Sequence, residues 1–246
     1  MNLMGQSVLV TGGAVRLGRA ICNTLADAGA RVVIAYQSSE AEAQELQRDI
    51  RARGAAAWAI ASSLDNERGC LGLIERAIQV AGALDILVNN AAGFHKGRFE
   101  TLTEETLLSE FQTNLFAPLL LMGAFSRQNR PGQVINLLDQ RVTSTDAERV
   151  PYVLTKKALA DATRMAALAW APRIRVNAVA PGAILPPPDE GPEYLKEKAG
   201  SIPLQRMCSP NEVAEAILFL LTSPGLTGQT LFVDGGQSLL GGGAGG

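Results

Sequence analysis

Tyr152 and Lys156 stand four residues apart in the segment DQRVTSTDAERVPYVLTKKALADATRMAALAWAP. On a helix that spacing puts a phenol and an ammonium on one face. A cation beside a phenol favours phenolate, so the pair is expected to draw the Tyr152 pKa down toward working pH and make a usable proton donor. Lys157 would point about 100° away around the helix, into solvent. The same spacing also occurs in purely structural pairs. What lifts this pair is its place just after a fifth strand pattern, on the sheet edge where ligands bind. Other chemistries are narrowed by a single histidine, His95. No His-based metal cluster can form, no metal is expected, and any Ser–His–Asp or Cys–His system would have to run through that residue. Cys22, Cys70 and Cys208 are far apart, odd in number and without a CxxC, which reads as reduced structural thiols.

A second feature precedes this pair in the chain. The turn TGGAVRLGRA, Thr11 to Ala20, follows an apolar N-terminal run. Gly12 and Gly13 permit a tight strand-to-helix turn and Gly18 a close helix–strand approach, so the free N–H groups of the next helix would face a pyrophosphate. The spacing is not G-x-G-x-x-G, and a tight turn that binds nothing is the competing reading. The second strand ends at Tyr36-Gln37-Ser38-Ser39, and the first acid there, Glu40, already lies in a helix. NAD-binding folds of this type hold the ribose diol with an acid at that place. Hydroxyls and a fresh helix N-terminus would instead accommodate a 2′-phosphate, which points to NADPH.

The elements that must position these groups alternate along the chain. Strands are predicted over Ser7–Thr11, Arg31–Tyr36, Ala56–Ala61, Asp85–Asn89, Gln133–Leu138, Arg173–Val179 and Thr230–Val233. Helices are predicted over Leu17–Ala28, Glu40–Arg53, Asn66–Ala81, Glu104–Phe125, Tyr152–Trp170 and Asn211–Thr222. This rhythm means right-handed βαβ units: an α/β, Rossmann-like, doubly wound seven-stranded parallel sheet with helices on both faces. Continuous apolar runs such as VLV, VVIA and ILV suit strands buried on both sides. One domain over residues 1–240 is expected, with a Gly-rich tail over 241–246. The Pro- and Gly-rich stretch at about 182–200 follows a strand's C-terminal end, so it reads either as a lid over the site or as a surface excursion.

Composition excludes several classes. The 246 residues carry 22 Lys+Arg against 24 Asp+Glu, a net charge of −2, and 47% are hydrophobic. That balance argues against a disordered chain and against a nucleic-acid binder, which would cluster positive charge. Leu115–Phe125 is too short to span a bilayer, so a soluble cytoplasmic protein is expected.

Taken in order, the motifs resemble the short-chain dehydrogenase/reductase family from Ser7 to Ser238: the Thr11–Gly18 turn, Asn89-Asn90-Ala91-Ala92-Gly93, Asn114, Tyr152-x-x-x-Lys156, Arg175-Val176-Asn177, Pro181-Gly182 and Val233-Asp234-Gly235-Gly236. The resemblance places a cofactor along Thr11, Gly12, Arg16, Leu17 and Gly18, then Tyr36, Gln37, Ser38 and Ser39. Further contacts fall at Ser63, Leu64, Asn90, Ala91, Ala92, Tyr152, Lys156, Pro181, Gly182 and Ile184. It gives Asn114 a water in a proton relay and Lys156 the nicotinamide ribose. It also implies a homotetramer formed through the Ala158–Trp170 helix and the C-terminal strand; a helix simply packed on its own sheet is the alternative.

The departures resemble one branch of that family. Arg16 stands where glycine is usual, and Asp139, thirteen residues before Tyr152, where serine is usual. Both exchanges are similar to the pteridine reductase branch, including bacterial dihydromonapterin reductases. There the Arg meets the pyrophosphate and faces the substrate, the Asp joins Tyr and Lys in catalysis, and the aromatic counterpart of Phe94 stacks on the pterin. Ser63 replaces the family's adenine-contacting Asp, and Ile184-Leu185-Pro186 replaces a Thr after Pro-Gly. An Asp–Tyr couple suits protonation of a ring nitrogen as hydride arrives. The expected reaction is NADPH-dependent reduction of a dihydropterin, with Arg16, Phe94, Asp139 and Tyr152 on the substrate. A carbonyl or 3-oxoacyl thioester reductase is the alternative enzyme, and an NADPH-reporting sensor the non-enzymatic one.

Overall fold

A computed structural model describes residues 2–185, 193 and 199–243. Seven strands form one sheet: β1 Ser7–Thr11, β2 Arg31–Tyr36, β3 Ala57–Ala61, β4 Ile86–Asn89, β5 Gly132–Leu137, β6 Ile174–Pro181 and β7 Thr230–Val233. Their order is β3-β2-β1-β4-β5-β6-β7. Every pairing is parallel; Val8, for example, pairs with Val32 on one side and Ile86 on the other. The helices are α1 Arg16–Asp27, α2 Glu40–Ala52, α3 Glu67–Ala81, α4 Glu104–Phe111, α5 Ala117–Ser126, α6 Val150–Trp170 and α7 Pro210–Thr222.

Alternation along each strand assigns the two cores. Val8, Val10, Val32 and Ile34 face Ile21, Leu25, Leu46, Ile50 and Ile217 of α1, α2 and α7. Leu9, Val33 and Leu87 face Leu73, Ile74, Leu121 and Phe125 of α3 and α5. Each such side chain withdrawn from water contributes about 1.5–3 kcal/mol before entropy is counted. Strands are added outward in one direction from β1 and in the other from β4, and open α/β sheets bind ligands in the crevice at that switch point. The family-like Arg175 and Asn177 serve the frame. Arg175 donates to the carbonyls of Leu220 and Leu221 at the end of α7, at 3.2 and 2.9 Å, and of Leu226 in the loop after it, at 2.6 Å.

One predicted helix is broken. Glu104–Phe125 is α4, then a π-helical turn over Gln112–Phe116, then α5. Pro118 has no N–H for the Asn114 carbonyl four residues back, and Ala117 N–H donates to Gln112 O, five back. The expected lid lies mostly outside the described residues, as do the last three residues of the expected tail; Gln237–Gly243 form a 3₁₀ helix. No helix among the described residues is long and apolar enough to cross a membrane. The three cysteines are buried and unpaired.

Candidate active site

The turns after β1 and β4 are stitched together at the switch point. Thr11 Oγ1 accepts from the N–H groups of Asn90 and Ala91 at 2.9 and 3.0 Å. The Asn90 amide returns two bonds, to the carbonyls of Thr11 at 2.9 Å and Gly12 at 3.0 Å. A side chain has no room here: a Cβ on Gly18 would lie 1.9 Å from Gly12 O, and Gly12 itself has φ +60°. Arg16, the first residue of α1, has φ 51°. A non-glycine residue in that left-handed region carries about 1 kcal/mol of strain, which a glycine would shed.

The cleft above these turns has a volume of about 400 Å³. Its wall includes Thr11, Gly12, Arg16, Leu17, Gly18, Tyr36, Gln37, Ser38, Ser39, Leu64, Asn90, Ala91 and Ala92. The close glycine backbones and the N-terminus of α1 fit a dinucleotide's pyrophosphate. The hydroxyls closing β2, with no acid among them, fit a phosphorylated ribose. Beyond the sequence reading, the wall also takes in Ser62, Asp65 and Thr113. Asp65 places an acid on the cleft wall two residues after Ser63. Its carboxylate accepts from Ser63 Oγ and, at 3.4 Å, from Gln37 Nε2, while Ser63 is not on the wall. The signal was present as the acid just before the α3 cap Asn66, two residues later than the family pattern.

At the end of β6, Gly182 N–H donates to Val233 O at 3.0 Å, and Ala183 N–H to Gln237 Oε1 at 2.9 Å. Ile184 packs on the α1/α7 core. Pro181 and Gly182 are therefore held from the β7 side, and they and Ile184, like Tyr152 and Lys156, lie outside the wall described above.

The helix spacing of Tyr152 and Lys156 is realised: Lys156 Nζ lies 5.7 Å from the Tyr152 ring centre and donates to Leu137 O at 2.8 Å. Tyr152 Oη donates to Asp139 Oδ2 at 3.1 Å. Asp139 is in turn gripped by Arg141, whose N–H reaches Oδ1 at 2.8 Å and whose Nη1 reaches Oδ1 at 3.2 Å and Oδ2 at 3.1 Å. Asp146 holds the other side of Arg141 through Nε at 3.0 Å. Sequence reasoning missed Arg141; a cation two residues after Asp139 resembles any loop charge until the 3₁₀ turn Gln140–Thr143 folds it back.

The Phe94 ring meets Tyr152 edge-on, with centroids 4.8 Å apart and planes at 88°. The guanidinium carbons of Arg149 and Arg141 lie 5.1 and 5.8 Å from the Phe94 centre. Asn114, fully buried, accepts from Gly93 N–H at 2.9 Å and donates to Gly93 O at 3.1 Å. Thus Phe94, Asp139, Tyr152 and Lys156 come together, with Asn114 holding the turn next to Phe94.

One expectation is reversed. Burial, reinforced by the Asp139 carboxylate, pushes the Tyr152 phenol well above its ordinary value instead of down. Desolvation disfavours phenolate, and together with the acid at hydrogen-bond distance it outweighs the downward pull of the Arg141 guanidinium. Burial also lowers Lys156 to about 8, against the upward pull of Asp139 and Glu110. Tyr152 is therefore a stored proton, and Lys156 is the group that titrates near neutrality.

A rate that needs the Lys156 ammonium should fall as pH rises through about 8. Stability moves the other way. Between about 8 and the ordinary 10.5 the unfolded chain binds the extra proton, so this group's contribution to stability rises with pH. A pH profile of kcat/KM run beside thermal melts checks both, and a rate that stays flat to pH 10 would remove Lys156 from the ionisation.

Comparison with known proteins follows the geometry. The family described as enoyl-(acyl carrier protein) reductase matches residues 13–238. The chain belongs to the short-chain dehydrogenase/reductase family. An uncharacterised oxidoreductase of Bacillus subtilis, YhxC, is 33% identical, with 96% of this chain and 85% of that protein covered. The crystal structure of FolM alternative dihydrofolate reductase 1 from Brucella suis, in complex with NADP, superposes with a TM-score of 0.91 at 34% identity, covering 95% of each chain. A short-chain dehydrogenase from Burkholderia cenocepacia, also in complex with NADP, gives 0.90 at 30% identity, covering 96% of this chain and 99% of that one. This short-chain dehydrogenase/reductase thus shares its fold with two proteins crystallised with NADP. Among the described residues no cluster of three or more His, Cys, Asp or Glu is placed to hold a metal.

Proposed function

We infer that the protein is an NADPH-dependent pteridine reductase that takes a dihydropterin of the dihydrobiopterin or dihydromonapterin type to its tetrahydro form, with dihydrofolate as a further candidate substrate. The observation that carries this reading is the Tyr152 hydroxyl bonded to Asp139, with the Phe94 ring beside it. The NADP complexes of related structures and the FolM likeness support it.

The β2 hydroxyls and the glycine cradle would hold NADPH, which supplies a hydride when bound. The chain's own residues then manage one proton. Tyr152 keeps it at neutral pH because burial and Asp139 oppose phenolate. When the proton passes to a ring nitrogen, Lys156 and Arg141 stand beside the charge left on the phenol oxygen and Asp139. Phe94 offers a flat apolar wall, and Arg16 a planar cation at the cleft, both suited to a conjugated ring.

A carbonyl or 3-oxoacyl thioester reductase is the second reading, favoured by the acyl-carrier description of the matching family. Purified protein, assayed for NADPH and NADH oxidation with dihydropterins, dihydrofolate and ketones, decides between them. Turnover of a dihydropterin with a clear NADPH preference is expected. Ketone turnover alone, or a preference for NADH, overturns the reading. Leu154, Met165 and Leu168 lie exposed on α6, which supports a homotetramer through that helix; light scattering measures it. A cytoplasmic location is part of the same reading.

A further inference from the structure

Glu110 is a buried carboxylate that acts on Tyr152 and Lys156 only through its charge, and its own hydrogen bonds lead elsewhere. It lies near the end of α4 with 2% of its surface exposed. Both oxygens are engaged: Oε1 accepts from Asn114 Nδ2 at 2.7 Å, and Oε2 lies 2.6 Å from His95 Nδ1. The His95 side chain is 73% exposed, so it is neither a core histidine nor an unpartnered loop residue. Asn114 bonds both backbone groups of Gly93. Gly93 lies directly on this pair, since a Cβ there would meet Glu110 Oε2 at 3.4 Å and the His95 ring at 3.5 Å. A chain of polar contacts therefore runs from solvent at His95, through Glu110 and Asn114, to the backbone that carries Phe94.

Two features of the sequence serve this chain. Glu110 and Asn114 are four residues apart across the junction of α4 with the π-helical turn, and such turns gather at functional sites. A carboxylate is costly to bury unless its oxygens are satisfied, and here each oxygen is spent on a residue of, or bonded to, one turn, Gly93–His95.

We propose that Glu110 is a positioning residue: with Asn114 and His95 it locks the Gly93–Phe94 turn, so that the Phe94 ring stands as a fixed wall against Tyr152 and holds the substrate in place. The proposal rests on reading Phe94 as that wall. It concerns how well substrate is held, not how fast the proton moves, and it is independent of which substrate class is reduced.

The test is steady-state kinetics on Glu110→Ala, Glu110→Gln, His95→Ala and Phe94→Ala with the best substrate of the wild type, pterin or ketone. Glu110→Ala should raise substrate KM roughly tenfold or more, the effect of losing a charge-assisted contact, with the KM for NADPH unchanged. Glu110→Gln should restore most of the loss, because an amide can accept from Asn114 and still bond His95. His95→Ala removes an exposed ring without opening the core and should give a smaller rise.

A folded Glu110→Ala with normal substrate KM overturns the proposal, as does an equal rise in both KM values or a Glu110→Gln as impaired as Glu110→Ala. Should Glu110→Ala fail to fold, His95→Ala decides, and an unchanged substrate KM overturns the proposal. Phe94→Ala separates the two readings. If it raises KM and Glu110→Ala does not, only the positioning role falls; if it leaves KM unchanged, the wall reading falls and takes the proposal with it.

Discussion

Tyr152→Phe should lower kcat/KM by about 10²–10⁴-fold, the range for loss of a positioned acid, while NADPH still binds. The ring keeps its edge contact with Phe94 and its place beside Lys156, so the cavity does not change shape. What disappears is the one hydroxyl bonded to Asp139, which retains its bonds from Arg141. The expected stability cost is therefore about 1 kcal/mol, a shift of roughly 2–4 °C in Tm for a chain of this size. Fluorescence titration with NADPH, a melt and the turnover rate together make the check. Residual activity within tenfold of wild type would mean that the proton comes from elsewhere, with Asp139 or water the first candidates.

Asp139→Ser should change what is reduced. A serine hydroxyl can still accept from Tyr152, but it cannot return a negative charge to Arg141. We expect dihydropterin kcat/KM to drop about 100-fold and ketone reduction to rise, because the carboxylate that orients the Tyr152 hydroxyl is lost while a ketone oxygen gains a neutral donor. Tyr152 should become more acidic, since burial would be left without the Asp139 charge that reinforces it. Stability should fall as well. Arg141 would keep only Asp146, which Arg149 also uses at 3.3 Å. Leaving that partly buried cation underpaired costs about 1–3 kcal/mol. Adding Arg141→Gln should then recover stability without recovering pterin turnover, and the double-mutant cycle gives their coupling. An Asp139→Ser enzyme that reduces pterins at the wild-type rate would refute the role given to the acid.

These predictions use features of different legibility. The seven strands and their order of appearance were readable because burial on both faces forces runs such as VLV and VVIA, and a run is a local property. The i,i+4 meeting of Tyr152 with Lys156 was readable for the same reason: helical geometry alone sets it. Element ends shifted by at most two residues, apart from the Glu104–Phe125 helix, for whose break Pro118 was the visible cue.

What the chain could not reveal by local pattern is which charges meet. Arg141 and Glu110 read as ordinary polar residues of a loop and a helix; only the packing of α4, the Gly93 turn and the 3₁₀ turn after Asp139 brings them to the site. The acidity of Tyr152 went the opposite way from expectation because a pKa depends on desolvation and on the sum of all nearby charges, and neither exists before the fold closes. That Asp65 lines the cleft while Ser63 does not was not legible, because the conformation of the loop after β3 decides which side chain turns toward it. The sequence by itself determined the sheet, the glycine cradle and the Tyr–Lys pair. Tertiary structure alone decided the charge state of that pair and the wall beside it, since electrostatics and burial are sums over residues distant in the chain.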